Sequence, residues 1–77
     1  MKMYCISDNI ETAVGLKLTG VDAVVLQEKS DVDEEIEKIL KDNEIGVLVV
    51  TEKIYEMSQK RLNEIKEKLK TPLLVKI

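Results

Sequence analysis

Two apolar runs, Ala23-Val24-Val25-Leu26 and Ile45-Gly46-Val47-Leu48-Val49-Val50, constrain the fold more than any other feature. A strand with one wet face alternates apolar and polar residues. Consecutive apolar positions instead require burial on both faces, the condition of a strand in a parallel sheet with helices packed on each side. Between the runs lies a helix pattern: Ser30 and Asp31 as caps, Asp33 and Glu34 in the first turn, a stripe of Val32, Ile36, Ile39 and Leu40, and Asn43 as terminator.

The rest of the chain repeats the alternation. Residues 2–7 read as a strand, with Ser7, Asp8 and Asn9 as turn and capping types, and residues 9–19 as a helix stopped by Gly20. Residues 22–27 and 45–50 are the second and third strands, and Thr51 is placed to cap one long helix over residues 52–70. Its buried stripe would be Ile54, Met57, Leu62, Ile65 and Leu69. Pro72 blocks helical continuation and opens a last strand over residues 73–77. The order βαβαβαβ predicts a single α/β domain over residues 1–77, three-layered and doubly wound, with a four-stranded parallel sheet in the order 2-1-3-4, receiver-like or Rossmann-like.

That topology puts the second and third helices on one face and the first helix alone on the other. Part of the sheet is then left without cover. The first helix has its own surplus, since Ile10, Ala13, Val14, Leu16 and Leu18 spread over roughly 200° of arc at about 100° per residue, more than a helix packed on one side needs. Either Leu18 belongs to a loop, or Leu16 or Leu18 faces something outside the chain. Gly15 in this helix and Gly46 in the third strand both suggest close approach of a neighbour. The fourth strand is an edge in which Leu73 and Val75, or Leu74, must point to the uncovered side, so the isolated chain is expected to self-associate there unless a partner covers it.

Catalytic equipment is sparse. With no histidine in the chain, histidine acid/base catalysis, Ser/His and Cys/His nucleophile pairs and His-containing zinc sites are excluded. A doubly wound sheet takes ligands at its switch point, here at Ser7, Asp8, Asn9, Thr51 and Glu52. Asp8 and Glu52 could hold a hard cation, but loop-end carboxylates are more often caps and solvated side chains, so no metal or cofactor is expected. Three chemistries of similar sheets fail at these positions. A receiver needs an aspartate where Val50 and Thr51 stand; a flavodoxin phosphate loop needs glycines and no acids where the chain reads Ser7-Asp8-Asn9-Ile10-Glu11-Thr12; a phosphocysteine carrier needs its cysteine in the loop, and Cys5 lies inside the strand. Cys5 is expected to be buried and inert.

The net charge of −3 gives nucleic-acid binding no electrostatic support. Lys60, Arg61, Lys66, Lys68 and Lys70 do cluster, but Glu56, Glu64 and Glu67 interleave with them as on a solvated helix face. One cysteine and no long apolar run imply a cytoplasmic chain that inserts into no membrane itself.

The segment Val14-Gly15-Leu16-Lys17-Leu18-Thr19-Gly20-Val21 after Ser7-Asp8, together with Ile45 to Glu52 and Thr71-Pro72-Leu73-Leu74-Val75, resembles the F subunit of the V-type and A-type rotary ATPases. The family usually has glycine and phenylalanine in place of Ser7 and Leu16, and typically runs on after the fourth strand into a helical tail, while this sequence ends at Ile77. The resemblance implies a non-catalytic component of the central stalk, cytoplasmic and peripheral to the membrane, that binds the coiled-coil D subunit of the stalk and helps couple ATP turnover to ion transport. The rival reading is a small ligand-sensing or phosphoacceptor domain using the switch-point loop.

Overall fold

The computed structural model describes all 77 residues. Strand β1 (Lys2–Ser7) leads into helix α1 (Ile10–Leu18), strand β2 (Asp22–Val25), helix α2 (Lys29–Lys41) and strand β3 (Ile45–Val50). Two short helices follow, α3 (Glu52–Met57) and α4 (Gln59–Lys68), before strand β4 (Leu73–Lys76). The sheet is parallel throughout in the order β2-β1-β3-β4, as the sequence predicts. Only β1 and β3 are central. β2 is therefore half-buried rather than enclosed on both faces, and it ends two residues before the predicted 22–27 boundary.

Register fixes which side chains share a face. Tyr4, Leu48 and Leu74 are aligned across β1, β3 and β4, and Ile6 is aligned with Val24 and Val50. This face packs on α2, α3 and α4 in a cluster of ten buried residues that includes Ile6, Leu48, Val50, Ile36, Ile54 and Leu62. At about 25 cal/mol per Å² of apolar surface, that cluster is the main source of stability. On the other face α1 packs against β1 and β2, and Cys5, Val49 and Ala13 are buried there.

Three local readings need correction. The third helix is interrupted at Ser58, whose backbone leaves the helical region (φ −125°, ψ 37°), because its hydroxyl donates to Asp33 Oδ1 of α2 at 2.6 Å. Thr51 is the N-cap residue of α3 as expected, but its hydroxyl makes no cap bond and donates to Asp8 Oδ1 at 2.6 Å. Helix α2 begins before Ser30 and Asp31, with Glu28 at the cap position and no side-chain cap bond.

The glycines divide similarly. Gly20 has φ 91°, the left-handed conformation that ends α1. A Cβ on Gly46 would run into the side chain of Met1, so the expected close neighbour is present. Around Gly15 nothing lies within 4 Å of the Cβ position, so no neighbour explains that glycine.

Candidate functional site

The switch point lies where β1 and β3 end side by side. Its polar atoms are spent on one another. Ser7 Oγ donates to the Asn9 carbonyl at 2.7 Å and accepts the Asn9 N–H at 3.0 Å. Asn9 Oδ1 caps α1 through the Thr12 N–H at 2.8 Å. Asp8 takes the Thr51 hydroxyl on its carboxylate, and its carbonyl accepts from Gln27 Nε2 at 2.7 Å. Glu52 is exposed and stands apart from this network. Of the three predicted loop residues, Asp8 and Thr51 thus bind each other and Glu52 takes no part. No three acidic, cysteine or histidine side chains in the chain converge as metal ligands.

A groove of about 310 Å³ runs between α2 and α4. Asp33 and Glu37 on its wall are already paired. Asp33 accepts from Lys29 Nζ at 2.7 Å as well as from Ser58, and these bonds hold its carboxyl below the ordinary range. Arg61 forks onto Glu37 at 2.8 and 3.1 Å, which lowers the Glu37 carboxyl and raises the guanidinium. The groove binds its own two sides together.

What remains unsatisfied is apolar. Leu73 lies on the α1 side of β4 with 61% of its surface exposed, beside half-buried Val75 and Val47 and exposed Met3 and Ile77. Leu74 points the other way and packs against the main cluster, so the alternation puts Leu73 and Val75 on the open side. On α1 the helix runs through Leu18, which is 83% exposed, while Leu16 is half-buried; Leu18 does not belong to a loop. Ile10 and Val14 are exposed too and line up with Leu18 at intervals of four residues. Sequence reasoning did not single out Ile10, Val14, Met3 or Ile77 as surface residues, although the four-residue interval was there to be read.

The family model of ATP synthase (F/14-kDa) subunits matches residues 3–77. In fold, the chain is similar to the F subunit of the V-type ATP synthase from Archaeoglobus fulgidus, with a TM-score of 0.79 at 20% identity, covering 99% of this chain and 95% of that one. No curated protein is significantly similar to the chain in sequence.

Proposed function

Because the chain belongs to the ATP synthase (F/14-kDa) subunit family, we propose that it is a non-catalytic component of the central stalk that binds the coiled-coil D subunit and helps couple ATP turnover to ion transport. The single observation that carries this reading is the contrast between a polar switch point closed on itself and an exposed apolar surface at Leu73 and on α1. A ligand-binding domain keeps free polar groups in a crevice; a docking module keeps free apolar area on its surface. A coiled coil offers apolar stripes flanked by charges, the complement of such a surface. No helix is long and apolar enough to cross a membrane, which supports a cytoplasmic protein held at the membrane through the complex. Co-expression with the coiled-coil stalk subunit from the same genome tests the proposal: the two chains should co-elute in equal amounts through gel filtration, and separate elution would contradict it.

A further inference from the structure

The sheet face that carries α1 is half covered. Helix α1 lies over β1 and β2, and the adjoining position over β3 and β4 has an apolar floor of Val47, Leu73 and Val75. Ile77 extends that floor, because its N–H donates to the Val50 carbonyl and continues the ladder. Helix α1 is itself apolar on two sides. Buried Ala13 and half-buried Leu16 face its own sheet, and at about 100° per residue Val14 and Leu18 then point away from it, with Ile10 on the flank.

The exposed stripe and the floor have matching repeats. Ile10, Val14 and Leu18 recur every four helical residues, about 6 Å, while Ile77, Val75 and Leu73 recur every two strand residues, about 6.6 Å. The helix also runs against the strands, since it returns the chain from the end of β1 to the start of a parallel β2. A right-handed helix in a right-handed crossover places Thr12, Gly15 and Thr19 on the flank of α1 that borders the position over β3 and β4. Nothing lies within 4 Å of the Cβ position at Gly15, so a second helix fits against this flank of small side chains at the usual spacing of about 8–10 Å.

We infer that the position over β3 and β4 is filled by α1 of a second copy, in a closed two-fold dimer whose axis runs parallel to the strands between the two sheets. Each α1 then lies between its own β1 and β2 and the other copy's β3 and β4. Leu18 of one copy meets Leu73 of the other, Val14 meets Val75 and Ile10 meets Ile77, and the two α1 helices run side by side along their Gly15 flanks. The contact is isologous, so every pairing occurs twice.

Area and charge both favour this occupant. Met3, Ile10, Val14, Leu18, Leu73 and Ile77 are 43% to 83% exposed; at roughly 200 Å² for a fully exposed large residue they offer on the order of 700 Å² per chain, close to the about 800 Å² per partner of a stable interface. The acidic helix α2 packs on the other face of the sheet with α3 and α4, outside the contact. The charged residues of α1 are Glu11 and Lys17, of opposite sign. Edge-to-edge pairing through β4 would leave both Leu18 and the floor in water.

The inference does not depend on the stalk role proposed above, and it is tested on the chain alone by sedimentation velocity from micromolar to millimolar concentration. The variants are Leu18→Lys and Leu73→Glu, each checked for native circular dichroism; both residues are mostly exposed in the single chain. The parent should form dimers and nothing larger. Each variant alone should dimerise at least about a hundredfold more weakly, since each substitution enters the interface twice. An equimolar mixture of the two should recover dimers, because one Leu18–Leu73 contact is then intact and the other is a Lys–Glu pair. A parent that stays monomeric, assemblies that grow beyond the dimer, a dimer that survives Leu18→Lys, or a mixture no more associated than its components would each overturn the inference. Co-elution with the coiled-coil stalk subunit is read separately, so failure of the dimer leaves the docking role standing, and failure of docking leaves the dimer.

Discussion

Cys5 sits in the middle of β1 with no exposed surface, and burial raises its thiol above the ordinary range. The reactive species is the thiolate, so both access and ionisation oppose attack. Labelling with a thiol reagent under native conditions should be slow and should accelerate on unfolding; rapid stoichiometric labelling of a chain with native circular dichroism would contradict the placement. Asp33 and Glu37 give the second residue-level prediction. Their carboxyls titrate lower in the folded chain, through bonds from Lys29 and Ser58 to the first and from Arg61 to the second. The unfolded chain therefore binds more protons near pH 4, and the contribution is present above the unfolded carboxylate range of about 3.9–4.3 and lost as pH falls below it. Both side chains are more than a third exposed, so solvent screening keeps the effect small. Asp33→Asn/Glu37→Gln should flatten the loss of urea stability between about pH 5 and pH 3; an acid limb as steep as the parent's would refute this.

At the scale of elements, α1 carries a glycine in its interior with open space around it. Helical glycine costs about 1 kcal/mol relative to alanine, and part of that lies in the unfolded chain. Gly15→Ala should raise stability by about 0.5–1 kcal/mol in urea titration, and a loss of stability would show a contact that the monomer does not make. The elements also mark where the sequence was legible. The α2 stripe followed from periodicity, and the strand order from the alternation of strands and helices with right-handed crossovers. The break at Ser58 did not, since its neighbours continue a helical stripe and its cause, Asp33, is 25 residues away. Thr51 does stand at the N-cap position of α3, but without a side-chain cap bond, and its hydroxyl goes instead to Asp8, 43 residues away. Leu73, Leu74 and Val75 are all apolar, so composition could not give their phase, and only the register Leu48↔Leu74 put Leu74 on the core side.

At the scale of the molecule, a sheet with full cover on one face and a single short helix on the other is an incomplete sandwich. Its switch point satisfies itself, with the Asp8 carboxylate accepting the Thr51 hydroxyl. The chain alone should therefore bind ATP no more tightly than about millimolar, for want of a phosphate-binding loop, and calorimetry showing micromolar binding would count against the docking account. The most direct test of its central claim is made in the assembled rotary ATPase, purified with and without this chain and placed in sealed vesicles with ATP. The account predicts that ATP hydrolysis persists without the chain while ions moved per ATP fall, and that adding the chain back restores the ratio. An unchanged ratio of ions to ATP in the depleted complex would contradict it.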